Sequence, residues 1–248
     1  MTYKVAGQRI TAPDAGGHGL GISDGQSWLV EDSIIDLSAC PLERLDEAAG
    51  ITWGSRAIFR RCVIRGAAKL ILCGSGDADK LAVERGKVVI FEGCILEDFG
   101  RRGPEVQSGM RVILRDCLIR NWGEPGRFDV RSFAGWAHHG GRIEAESCVF
   151  VQPRFWRGLK VMARDWLAHL GQAWNDEGLH GVLRLANWLP GVCRGLVATA
   201  GGHVRTRHCY ATPWWIRLEA RHGDMSRKDA AEMVRRLEAM RQDMERRL

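Results

Sequence analysis

No run of about 18 uncharged apolar residues occurs in the chain. An α-helix needs roughly that length to cross a bilayer, so no membrane span is expected. The longest apolar stretches, around residues 161–200, are broken by Arg164, Asp165, Asp176, Glu177, Arg184 and Arg194. The opening residues, Met1 to Arg9, lack the apolar core of a secretory signal. The expected location is therefore cytoplasmic, or virion-associated, or outside the cell by another route. The C-terminus carries no lipidation motif. Eight cysteines are present (Cys40, Cys62, Cys73, Cys94, Cys117, Cys148, Cys193 and Cys209), yet none forms a Cys-x-x-Cys pair. That argues against a zinc ribbon. The even count leaves disulfides open, while the positions described below argue for free buried thiols.

What is present is a chain of 248 residues, enough for one large domain or two small ones. Its 45% hydrophobic content is ordinary for a globular protein, and 30 glycines favour many turns over a helix bundle. A net charge of +6 and a pI near 9.0 suggest an acidic partner. An anionic polysaccharide, a nucleic acid or a lipid surface would fit. No nucleic-acid-binding motif accompanies the charge, so nucleic acid is not the expected partner.

The strongest internal signal is a repeat. Six segments align without gaps on Ser33, Cys62, Cys94, Cys117, Cys148 and Cys209. Five positions earlier stand Trp28, Ala57, Val89, Val112, Ile143 and Val204, all apolar. Three earlier stand Val30, Phe59, Phe91, Leu114, Ala145 and Thr206. The position two earlier is always charged: Glu31, Arg60, Glu92, Arg115, Glu146 and Arg207. Period-two alternation of this kind means a strand with one face inward and the other in water. It weakens four before the anchor, where the first four segments are apolar and a strand covered on both faces is expected. The anchors are 29, 32, 23, 31 and 61 residues apart, which suits solenoid rungs with loops of varied length. The expected fold is an all-β core, a right-handed parallel β-helix, with the anchor residues stacked in an internal ladder about 4.8 Å apart.

The expected organisation is a β-helix core over 1–160, a helical insert over 161–200, a final rung over 201–222 and a C-terminal helix over 223–248. Trp166, Leu167, Leu170 and Trp174 in the insert follow helical spacing, and Pro190 ends its second apolar run. In the tail, Ser226 and Asp229 resemble a helix start, and Ala230, Met233, Leu237, Met240 and Met244 keep a 3-4-3-4 spacing. That stripe could join two copies in a coiled coil, making a homo-oligomer, or pack on its own chain.

Three further segments resemble motifs of one family. VVIFEGCILEDFGRRGPEVQSG (88–109) places Arg102, Pro104 and Gly109 where the pectate lyase-like polysaccharide lyases carry Arg-x-Pro-x-x-Arg-x-Gly after a strand. AKLILCGSGD (68–77) and ITWGS (51–55) resemble two upstream motifs of that family, in the same order. The resemblance covers about residues 18–153. It implies a parallel β-helix that cleaves acidic, galacturonate-type polysaccharides by β-elimination. It further implies that Arg102 is the catalytic base, that Lys69 and Arg131 hold substrate, that Gln107 occupies a substrate-binding position, and that Asp46 binds calcium. The chemistry needs positive charge, because a proton beside a carboxylate is not acidic until that carboxylate is neutralised.

The chain departs from the pattern at Gln107, which replaces the second signature arginine, and at Gly50, which replaces a calcium acid. His18 and Gly16 stand in place of two upstream acids, and the Asp-His of the first strand reads Glu31-Asp32. Most of the implied calcium ligands are thus missing. A non-catalytic carbohydrate-binding or tail-spike-like β-helix is the alternative reading. His138 and His139 could bind metal or simply lie on a Gly-rich surface turn, and Trp122, Trp136, Trp214 and Trp215 could stack on sugars or serve the core.

Overall fold

The protein is described by a computed structural model. It describes residues 2–11, 19–22, 26–39, 49–51, 56–66, 69–74, 87–99, 102–122, 133–152, 174–175, 178–179, 195–212, 216, 218 and 221–248.

The chain winds as a parallel β-helix with three faces. The first rung has β1 (Thr2–Ala6) and β2 (Arg9–Ile10), and the second has β3 (Ser27–Glu31), β4 (Ile34–Asp36) and β5 (Ala49–Ile51). The third has β6 (Arg56–Arg60), β7 (Val63–Arg65) and β8 (Lys69–Cys73), and the fourth has β9 (Val88–Glu92), β10 (Ile95–Phe99) and β11 (Arg102–Val106). Next come β12 (Arg111–Arg115), β13 (Leu118–Trp122) and β14 (Gly135–Ala137), then β15 (Arg142–Glu146), β16 (Val149–Val151) and β17 (Leu196–Ala198). The last rung is one long strand, β18 (His203–Thr212), joined along its edge by β19 (Arg221–Asp224). The first sheet runs β1-β3-β6-β9-β12-β15-β18, the second β18-β16-β13-β10-β7-β4-β2, and the third β17-β14-β11-β8-β5. Every pairing is parallel.

The register of the first sheet matches the sequence repeat. Trp28 pairs with Ala57, Ala57 with Val89, Val89 with Val112, Val112 with Ile143, and Ile143 with Val204. One reason for the repeat is the corner between the first two sheets. Asp32, Arg61, Gly93, Asp116, Ser147 and His208 all adopt φ between 49° and 63° there. This left-handed step redirects the chain, and short polar residues or glycine tolerate it best. The next residue, cysteine or serine, turns inward. Each ladder Sγ (Cys62, Cys94, Cys117, Cys148 and Cys209) has its one hydrogen within reach of two acceptors, the carbonyl two residues before it and a carbonyl of the preceding rung, as Cys117 has Arg115 (3.1 Å) and Phe91 (3.4 Å). Ser33 Oγ donates to the Glu31 carbonyl at 2.7 Å, so serine fills the same post. The five cysteines of the ladder are free and fully buried. Burial pushes the Cys94 and Cys148 thiols well above their ordinary pKa.

Aligned inward residues of all three sheets form one core, with Phe59 and Phe91 stacked at 4.8 Å. The outward stripe of the first sheet is less covered than its apolarity suggests: Leu29, Ile58 and Ile90 are half-buried and Ile113 is buried. The outward stripe of the second sheet is covered. Ile34, Val63, Ile95, Leu118 and Val149 pack with Met225, Ala230, Met233, Leu237 and Met244. The last four belong to helix α1 (Arg227–Arg247), which Ser226 caps by accepting from the Asp229 N–H at 3.1 Å. The helix stripe that could have joined two copies therefore lies on the protein's own second sheet.

Most of the expected insert lies outside the described residues. Within it, 174–175 and 178–179 are helical, with Trp174 and Leu179 exposed. Leu196–Ala198, placed in the insert by sequence, is strand β17 of the third sheet, so the solenoid has resumed by Leu196 rather than at 201. No described helix is long and apolar enough to cross a membrane.

Candidate functional site on the third sheet

The third sheet brings Lys69 and Arg102 together. They are register partners on β8 and β11. Neighbouring rungs approach closely beside them: a methyl group at Gly103 would lie 1.9 Å from the Ala134 carbonyl oxygen. Only glycine allows that contact, and the Gly103 N–H uses the closeness to reach the Phe133 carbonyl at 3.1 Å.

Three turns of one kind close the third sheet. In residues 107–110, 138–141 and 199–202 the two central residues have positive φ, and the fourth N–H donates to the first carbonyl. This is the type I′ geometry, which favours glycine. Since Val106 pairs with Ala137 and Ala137 with Ala198, the turns stack, and Gln107, His138 and Thr199 occupy equivalent posts.

Charge converges on Glu105, which is 5% exposed. Its Oε1 accepts from Arg102 NH1 at 2.6 Å and lies 3.2 Å from His138 Nε2, while its Oε2 lies 3.7 Å from Lys69 Nζ. Burial pushes the Glu105 carboxyl up, but the hydrogen bonds from His138 and Arg102 and the charges of Arg102 and Lys69 outweigh it and hold the pKa at about 2. The Arg102 guanidinium lies 4.1 Å from the Trp136 ring centroid, and the His138 ring stacks on that indole at 3.9 Å. Trp136 Nε1 donates to Thr199 Oγ1 at 2.8 Å. His138 is buried, and its Nδ1 faces Nδ1 of the exposed His139 at 2.9 Å. Two buried atoms of the cluster lack a hydrogen bond: Arg102 Nε and Glu105 Oε2. Both are shielded from solvent, and the Lys69 ammonium 3.7 Å away offsets the charge at Oε2.

Of the residues singled out by sequence, Lys69 and Arg102 sit in this cluster. Gln107 lies on the same rung, but its amide donates to the Gly74 carbonyl at 2.8 Å. Asp46, Arg131, His18, Trp214 and Trp215 lie outside the described residues. Trp122 is a core side chain, 1% exposed, and the Trp136 ring already contacts Arg102 and His138. Glu105 fell on an unspecified position of the motif and had no sequence signal. His138, singled out with His139 as a metal ligand or a surface-turn residue, is instead buried against Glu105, and the recurrence of glycine at Gly109, Gly140 and Gly201 aligns it with Gln107.

The cluster itself is not a calcium site, and Asp46, to which the resemblance gives calcium, lies outside the described residues. Calcium wants six to eight oxygen ligands. Here one carboxylate is already engaged by Arg102 and His138, and the other neighbours are nitrogen donors. Among the described residues no group of three or more His, Cys, Asp or Glu could hold a metal ion. In comparisons with known proteins, no family model matches the chain and no curated protein matches it.

Proposed function

We propose that the third sheet binds an acidic, uronate-type polysaccharide and cleaves it by β-elimination, as the likeness to pectate lyase-like proteins implies. One observation carries the reading. Lys69 and Arg102, drawn from two separate motifs, are register partners and converge on a single buried carboxylate. Two cations against one anion leave the cluster net positive, which suits a substrate carboxylate. The chain's net charge of +6 agrees with an acidic partner.

The test is incubation of the folded protein with polygalacturonate, with added calcium and with a chelator, following unsaturated uronate ends. Product in at least one condition is expected, and the difference between the two shows whether calcium takes part. No product in either overturns the lyase reading. A second reading, a non-catalytic binder of the same polysaccharide, is favoured by the 2.6 Å Arg102–Glu105 contact, which already engages the guanidinium. Saturable binding without product is its signature.

A further inference from the structure

A lyase needs a proton acceptor, and Arg102 is poorly suited to that role. A guanidinium is ordinarily protonated, and this one is already engaged, 2.6 Å from the Glu105 carboxylate and over the Trp136 ring. Histidine is the side chain whose ordinary pKa suits proton transfer near neutrality.

The hydrogen bonds around Glu105 dictate where the protons sit. An ionised carboxylate only accepts. His138 Nε2, 3.2 Å from Glu105 Oε1, must therefore carry a hydrogen. A neutral His138 then presents a bare Nδ1 to His139 Nδ1 at 2.9 Å. One hydrogen must lie between those two nitrogens, and it belongs to His139. Neutral His139 is left with a bare Nε2 on an exposed residue.

We propose that Glu105, His138 and His139 form a proton relay in which His139 Nε2 is the catalytic base for a uronate substrate. The proposal rests on the lyase reading above. The C–H bond beside the uronate carboxylate breaks and its proton passes to His139 Nε2. The electron pair left behind forms the carbon–carbon double bond, the bond from the next carbon to the glycosidic oxygen breaks, and that oxygen takes a proton from water, whose hydroxide then takes back the proton held by the histidines. As Nε2 gains its proton, the Nδ1 hydrogen moves to His138, and the positive charge comes to rest on a ring that touches Glu105 and stacks on Trp136. The charged groups facing His138 are Glu105, which favours that cation, and Lys69 and Arg102, which oppose it while both engage Glu105. His139 is the catalytic residue; Glu105 and His138 are positioning residues.

The relay is tested by nitrogen NMR of histidine-labelled protein together with kinetics of His139→Gln. At a pH where both rings are neutral, His138 is expected with its hydrogen on Nε2 and His139 with its hydrogen on Nδ1. Glu105→Gln should scramble that preference. Because Glu105 is buried and its variant could misfold, exposed His139→Gln carries the kinetic test. It should stay folded, bind polygalacturonate with little change in KM, and lose roughly 10²–10⁴-fold in kcat, the usual share of a general base. His139 with its hydrogen on Nε2, or His139→Gln at the wild-type kcat, overturns the relay while leaving the lyase reading intact. A wild type that makes no unsaturated ends overturns the lyase reading, and the role given to His139 falls with it.

Discussion

Two ladders of alternating charge run along the solenoid, one open to water and one under a helix. On the first sheet Glu31, Arg60, Glu92, Arg115, Glu146 and Arg207 face outward on successive rungs, with contacts from 2.9 to 4.0 Å. On the second sheet Asp36, Arg65, Glu97 and Arg120 do the same, with Arg65 2.8 Å from Asp36 and 3.3 Å from Glu97. Helix α1 closes over this second ladder and adds Glu238, Arg241 and Glu245. The two ladders follow one rule, since like charges on neighbouring strands would repel. They differ in hydration. Arg115 and Glu146 are nearly half exposed, whereas Glu97 is 1% exposed. The same alternation is thus a weak surface feature on one face and a demanding buried network on the other.

The sharpest way to break the comparison is Glu97→Ala. It would leave Arg65, Arg120 and Arg241 partly buried without their shared carboxylate, at a cost of roughly 3–5 kcal/mol by urea unfolding. A second buried carboxylate, Glu105, extends the contrast through pH. Its folded pKa of about 2 lies below the ordinary 4.5, so its contribution is complete above that value and fades as pH falls toward 2. Melting temperature against pH should therefore fall over that window in the wild type and fall less in Glu105→Gln. Cys117→Ser probes the dry interior between the ladders. The serine at Ser33 already fills this post, and the Arg115 and Phe91 carbonyls offer acceptors, so the loss should be about 1 kcal/mol. Glu92→Ala, in the open ladder, should cost at most about 1 kcal/mol, and less in high salt.

The ladders also explain what could be read from sequence. The first sheet and its corner were legible because each rung repeats one demand: a left-handed residue, then a small side chain that can donate inward. Ser33 and five cysteines answer it, and the segments they anchor pair in the register expected. The third sheet repeats no such demand along its strands. Lys69, Arg102 and Trp136 share a face but no residue type, and the number of residues between one strand and the next differs before β8, β11 and β14. Lys69 and Arg102 were found only through the family likeness. Glu105 was missed because a carboxylate there answers its neighbours rather than a rung. The tail helix was legible by its spacing, yet its choice between a second copy and its own sheet was not. The apolar stripe it covers lies on five separate strands, one residue in each.

The claim that function resides on the irregular third sheet is tested most directly by amide hydrogen exchange with and without polygalacturonate. Added protection over 102–107 and 135–139, with 111–115 of the first sheet unchanged, is the expected result. Protection confined to the first sheet, or none at saturating polysaccharide, would contradict it.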